Sequence, residues 1–214
     1  MPGTVVLQGG EPFIGNDELD RRVLAKLGID RVIVLPTADA YERPQELVDA
    51  AAAWGQRMGV EVEPLMVLTR AQADHAAAAV LDEARAVWMV GDSSSHLRSV
   101  LKHTVVWDAL VGVLDRDGVV VGCGASGAAL CDPMTDSRGG GFGLGLGLIG
   151  GLAVVAEAER WSAATLDRTK ELATTTLAVL TSGSALIASD SGWEQVGDVS
   201  VIGVLPPVRA AGSE

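Results

Sequence analysis

Between Thr4 and Cys123 the chain repeats one rhythm: a short run of aliphatic residues, then a longer segment in which apolar residues recur every three or four positions. The short runs predict strands at Thr4 to Leu7, Arg31 to Leu35, Val60 to Val67, Ala86 to Val90 and Val119 to Val121. The longer segments predict helices. Asn16 caps the first, whose Leu19, Val23, Leu24 and Leu27 share one face and which Gly28 stops. The second starts near Pro44 and runs to Met58 with Gly59 as its stop. An alanine-rich helix follows from about Ala71 to Ala84, then one around His96 to Lys102 and another from about Trp107 to Leu114. Strand and helix in this alternation predict a doubly wound α/β fold: one mostly parallel sheet, right-handed crossovers and helices on both faces. Such sheets place ligand sites beyond the carboxyl ends of their strands. Gly10, Thr37, Gly91 and Gly124 all fall there.

After the fifth strand the alternation decays. Gly140 to Val155 reads as extended and glycine-rich, Ser162 caps a helix to about Ala173, and Leu177 to Leu180 and Ala185 to Ala188 read as strands around Ser182-Gly183. Val199 to Val204 is the last expected strand, before Pro206-Pro207. No linker or repeat divides the chain, so residues 1–214 are expected to form a single domain. Gly139 to Ala156 is uncharged, but glycine alternates there with Phe142, Leu144, Leu146 and Leu148, the period of a strand and not of a membrane helix.

Composition narrows the function. A formal net charge of -12 repels phosphate backbones and anionic lipid, so neither nucleic acid nor a membrane surface is an expected partner. The two cysteines, Cys123 and Cys131, and the absence of a basic, apolar leader point to a reduced cytoplasmic setting with no disulfide. His75 and His103 read as surface residues. No H-x-x-x-H or C-x-x-C spacing occurs, so no metal site is expected and no cofactor is implied. Arg138 to Gly151 lacks a following G-K-[ST], which removes the phosphate-loop reading.

The stretch around which the rest is organised is Gly118 to Met134, GVVVGCGASGAALCDPM. A β-branched strand turns through Gly122, Cys123 and Gly124 into a small-residue helix, the setting of a nucleophile elbow. Where the pattern G-x-S-x-G places a serine, this chain runs Cys123-Gly124-Ala125-Ser126-Gly127. Read with Gly9-Gly10, Leu35-Pro36-Thr37-Ala38, Gly91-Asp92 followed by His96-Leu97, Asp132-Pro133-Met134 and Gly145-Leu146-Gly147-Leu148, the elbow resembles that of the cyanophycinase and aspartyl dipeptidase (peptidase E) family of serine peptidases. The resemblance extends over nearly the whole chain and implies a class I glutamine amidotransferase-like fold with the elbow strand near the centre of the sheet.

What the resemblance implies for chemistry is a serine attacking a peptide carbonyl, a histidine taking its proton, an acid orienting that histidine and backbone N–H groups holding the oxyanion. Counting back from Leu130 and Asp132-Pro133-Met134 puts the nucleophile position at Gly124, whereas counting from the elbow strand or matching Gly127 puts it at Ala125. Neither carries a nucleophile. The histidine segment aligns with Gly151 to Ser162 and places Glu157 where the base belongs. Between Arg138 and Ala156 there is no Asp or Glu, which leaves Asp132 and Asp136 as the nearest acids. The oxyanion donors are carried by backbone and so persist, at Gly91 and at Ala125 or Ser126 according to register.

Three substitutes are weighed against plainer roles. Ser126 is a displaced nucleophile or a cap of the elbow helix. Cys123 is a nucleophile or a small core residue. His96 lines the pocket with Asp92 or packs and caps locally. Two function classes follow: a non-hydrolytic member kept for binding a small peptide or amino-acid derivative, or for pairing with itself or an active relative, and an enzyme, either a peptidase of Asp-containing dipeptides working through displaced residues such as Ser126 with His96 or one running a different reaction in the same pocket with Glu157 as base.

Overall fold

The computed structural model describes residues 3–208. In chain order the strands and helices are β1 (Thr4–Gln8), α1 (Asp17–Leu27), β2 (Arg31–Leu35), α2 (Pro44–Met58), β3 (Glu61–Pro64), α3 (His75–Asp82), β4 (Ala86–Met89), α4 (Ser94–Leu101), α5 (Val105–Asp115), β5 (Val119–Cys123) and α6 (Ala125–Leu130). They continue as β6 (Cys131–Asp132), β7 (Met134–Thr135), β8 (Phe142–Gly143), β9 (Ile149–Gly150), β10 (Leu152–Val155), α7 (Ala163–Leu172), β11 (Thr176–Leu180), β12 (Ala185–Ser189), β13 (Gly192–Val196) and β14 (Val199–Ile202).

The main sheet has seven strands in the order β13-β12-β1-β5-β4-β2-β3. Its β1, β5, β4, β2 and β3 are parallel, and β5 occupies the centre as expected of the elbow strand. Strand alternation sorts the core into two layers. Val5, Leu7, Ile33, Leu35, Val87, Met89 and Val120 face α3, α4, α5 and α6, while Val6, Val32, Val34, Trp88, Val119 and Val121 face α1 and α2. Helices therefore cover both faces.

The expectation of one sheet is corrected. A second, five-stranded sheet, β14-β11-β10-β6-β9, is built from the part of the chain where the sequence alternation decays. Its β10 and β11 are parallel, and Leu152, Val154, Ala178 and Leu180 enter the same core layer as β1 and β5. A hairpin missed in the sequence, β12 with β13, closes the main sheet by pairing antiparallel to β1. The β13 segment, Gly-Trp-Glu-Gln-Val, is too polar to stand out as a run.

Two boundaries move and one cap acts differently. Pro64 has no N–H to give a ladder, and β3 ends there instead of reaching Val67. The helix expected from Ala71 splits, because Thr69 and Gln72 close a capping box on one short turn and Asp74 then caps α3 by accepting from the Ala77 N–H at 3.0 Å. Asn16 does not cap α1 with its side chain. Its Nδ2 donates to the Gly10 carbonyl at 2.9 Å, which ties the helix start to the end of β1.

Cys123 and Cys131 are both buried free thiols. Among the described residues no helix is long and apolar enough to cross a membrane, and no cluster of His, Cys, Asp or Glu is arranged to hold a metal ion.

Candidate elbow site

At the carboxyl end of β5 the chain turns through Gly124, with φ 60° and ψ -127°, and enters α6 at Ala125. Of the two registers open from the sequence, the turn residue is Gly124. Ala125 is the first residue of the helix. A left-handed φ of this kind is glycine's territory, and here it is also sterically free: a Cβ at Gly124 would meet nothing within 4 Å. The neighbouring glycines do a different job. A Cβ on Gly122 would lie 2.7 Å from the Gly127 Cα and 2.8 Å from Leu130 Cδ1, so strand and helix touch backbone to backbone beneath the turn.

The loops after β1, β2 and β4 fix the surroundings. Gly124 N–H donates to the Gln8 carbonyl at 3.0 Å, and Ser93 N–H donates to the Ala38 carbonyl at 2.9 Å. Gly91 has φ +112°, and a Cβ there would stand 2.5 Å from the Asp39 nitrogen, so only glycine lets the two loops close on each other. Burial holds the Asp39 carboxyl above the usual range.

From the second sheet, β10 delivers Glu157. Its N–H donates to the Gly9 carbonyl at 2.6 Å, the bond that joins the two sheets at the site. Glu157 sits in the left-handed region, φ 50° and ψ 46°, which for a glutamate costs about 1–2 kcal/mol. A Cβ on Gly10 would come within 2.4 Å of Glu157 Cγ, so Gly10 makes room for that side chain. Its carboxylate is 2.7 Å from Arg160 Nη1. Burial raises the Glu157 pKa, Arg160 pulls against it, and the charges of Asp92, Glu159 and Glu11 add to the rise. Next to it, Glu159 anchors the segment by accepting from the Ser182 N–H and hydroxyl.

These elements enclose a cavity of about 340 Å³. Asp92, Ala125, Glu157 and Arg160 line it, with hydroxyls from Ser94, Thr135, Ser137 and Ser162 and the ring of Trp161. Of the residues singled out in the sequence, Asp92, Ala125 and Glu157 come together here. Ser126 does not. It is fully buried inside α6, its hydroxyl 3.4 Å from the Gly91 carbonyl, so it neither caps the helix nor faces the cavity. His96 is also turned away: its Nε2 is 2.9 Å from the Leu68 carbonyl and its ring meets Tyr41 edge-on. Cys123 is a core residue whose thiol is pushed well up by burial. Asp132 accepts from the Gly145 N–H at 3.2 Å, and Asp136 accepts from the Arg138 N–H, which commits both acids to the glycine-rich loop.

Arg160 was not singled out in the sequence. Its signal was present three residues after Glu157, the spacing that lets an arginine reach back across a tight turn.

No family model matches the chain, and no curated protein matches it. Among solved structures, it is similar to a peptidase from an acI-B1 Actinobacterium, with TM-score 0.84, 21% sequence identity, and coverage of 100% of this chain and 96% of that one. It is also similar to a protein assigned as a peptidase E from Listeria monocytogenes EGD-e, with TM-score 0.69, 13% identity, and coverage of 95% of this chain and 100% of that one. The fold is thus peptidase E-like.

Proposed function

We propose that this chain is a peptidase E relative that keeps the elbow pocket to bind a small peptide or amino-acid derivative and does not cleave it by serine chemistry. The observation that carries this reading is Gly124: the residue at the tip of the strand-to-helix turn has no side chain. Glu157, where the resemblance places a histidine, is paired with Arg160, which favours its charged form and occupies the carboxylate that would have to act as base. Backbone donors remain. An oxyanion hole without its triad retains about 10³–10⁴-fold acceleration over water, too little for a digestive role. The alternative of a displaced serine rests on Ser126, whose burial argues against it.

The test pairs binding with turnover. Purified protein is titrated calorimetrically with Asp-X dipeptides and β-aspartyl-arginine, and the same mixtures are assayed for released amino acids, with Ser126→Ala and Cys123→Ala as controls. Saturable heat without product is the expected result. Robust turnover that Ser126→Ala abolishes would replace this reading with a displaced catalytic serine.

A further inference from the structure

Directly behind the elbow, in the layer between the main sheet and α1 and α2, lies a buried polar cluster that the pocket does not use. Asp20 on α1 is 1% exposed. Gln8 on β1 is equally hidden, and its Nε2 is 2.6 Å from Asp20 Oδ1. Trp54 on α2 donates Nε1 to Asp20 Oδ2 at 3.1 Å. Among the described residues no cation pairs with this carboxyl. Two further atoms of the cluster lack partners: Gln8 Oε1, an acceptor, and Trp88 Nε1 on β4, a donor.

The orphaned Gln8 Oε1 is informative. As the amide is oriented, both Asp20 oxygens accept, which favours the anion, and the Gln8 Oε1 acceptor is left buried without a donor. Turn the amide over, and a proton on Asp20 Oδ1 is donated to Gln8 Oε1 across the same short gap, with the Trp54 bond to Oδ2 unchanged. Two arrangements of one side-chain pair therefore exist, and a proton selects between them.

Gln8 also reaches the site through its backbone. Its carbonyl accepts the Gly124 N–H, and the next residue, Gly9, holds the Glu157 N–H. We infer that Asp20 and Gln8 form a buried proton-binding site whose occupancy adjusts the end of β1, and through it the backbone of Gly124 and Glu157 at the elbow pocket.

The groups facing Asp20 come from every element around it. Asp17 on α1 opposes its ionisation but is itself held by Arg57 at 3.0 Å, while Gln8, Trp54 and Trp88 favour the anion. On β5 the Cys123 thiol is kept neutral by burial and by the Asp20 charge. Burial outweighs the donors and lifts the Asp20 pKa to about 7, so the two arrangements exchange near neutrality.

The test is an NMR titration of the uniformly labelled wild-type chain, following the Asp20 carboxyl carbon and the Gly124 amide together. The expected result is an Asp20 midpoint near 7, far above exposed aspartates, with the Gly124 amide shift following the same midpoint. In Asp20→Asn the Gly124 movement is lost. That variant is near-isosteric and can donate to Gln8 Oε1 with the amide turned over, so a folded protein is expected. An Asp20 carboxyl already ionised at pH 5 in the wild type would overturn the proton site, and a Gly124 amide that ignores the Asp20 midpoint would overturn the coupling. Both readings come from the wild type alone, so they decide the matter even if the variant does not fold.

Discussion

Gly124→Ser asks whether the elbow is a vacated position or a rebuilt one. The added Cβ meets nothing within 4 Å, so no steric overlap enters the cost. What remains is the backbone, since φ 60° and ψ -127° are sparsely populated by residues with a Cβ, at about 1–3 kcal/mol. Loss of glycine's freedom in the unfolded chain returns about 0.4–1 kcal/mol. The net loss is then about 0–2.6 kcal/mol, which in a chain of this size lowers Tm by up to about 10 °C. Urea denaturation followed by tryptophan fluorescence gives the free energy, and peptide hydrolysis gives the function. No turnover is expected from the single variant, because an alcohol without its base is a poor nucleophile and triad members act as a unit. Gly124→Ser with Glu157→His is expected to recover weak turnover, as histidine is among the residues that tolerate the left-handed backbone Glu157 occupies. A loss above 4 kcal/mol would mean the space over Gly124 is filled, and efficient turnover by Gly124→Ser alone would refute the whole argument.

Four other outcomes follow from the same geometry. Ala125→Gly is expected to destabilise by about 0.5–1 kcal/mol in urea, since Ala125 begins α6 and does not hold the turn; stabilisation would move the turn to residue 125. Gly127→Ala is expected to cost about 1–3 kcal/mol by a different route, because its Cβ would stand 2.7 Å from the Gly122 carbonyl oxygen, and a neutral result would show that strand and helix separate easily. Glu157→Gly is expected to change stability by less than about 1 kcal/mol, because the left-handed strain released, about 1–2 kcal/mol, is offset by glycine's unfolded-state freedom, about 0.4–1 kcal/mol, and by loss of the pair with Arg160; a loss above about 2 kcal/mol would show the pair to be worth more. Asp20 binds its proton more tightly folded, at about 7, than unfolded, at 3.8, so its stabilisation is complete below the lower value and is lost as pH rises through the higher one. The fall amounts to roughly 4 kcal/mol at most by pH 8, and the difference between the urea-derived stabilities of wild type and Asp20→Asn, followed across this range, measures it; a difference that does not change with pH would refute it.

The centre of the main sheet was legible because β1, β2, β4 and β5 are apolar on both faces and stand out as unbroken runs, whereas the edge strands β3 and β13 carry charged residues. Of the second sheet only β11 and β14 were legible as strands in their own right, because β6 and β9 are two residues long and carry no period. At the site, Glu157 was found through the resemblance and Gly124 through the glycine-rich turn. The register between Gly124 and Ala125 stayed open because backbone dihedrals leave no mark when both candidates are small. Ser126 takes neither of its two expected roles and His96 takes the packing one, because nearness along the chain says nothing about which side of a short helix a residue faces. Asp20 had a signal that went unread. It stands three, four and seven residues before Val23, Leu24 and Leu27, on the apolar stripe itself, where a carboxylate has to be explained.

The antiparallel pairing of β1 with β12 has a consequence for how the chain is made. Val5 lies opposite Ala188 on one side and Val120 on the other, so β1 leaves the ribosome before either of its neighbours. Parallel pairing with β5 must wait for the strands and helices between them, and the other edge of β1 is covered only when the β12 hairpin follows. Contacts so distant in sequence slow folding, because a large loop has to close before any bond rewards it. Until then Val5, Val6 and Leu7 form an unpaired apolar edge on a nascent chain, the surface that trigger-type chaperones shield and that aggregates when they are scarce. The polar side chains of β13, Glu194 and Gln195, border the sheet only after that hairpin closes, so the finished protein has a guarded edge that its growing chain lacks.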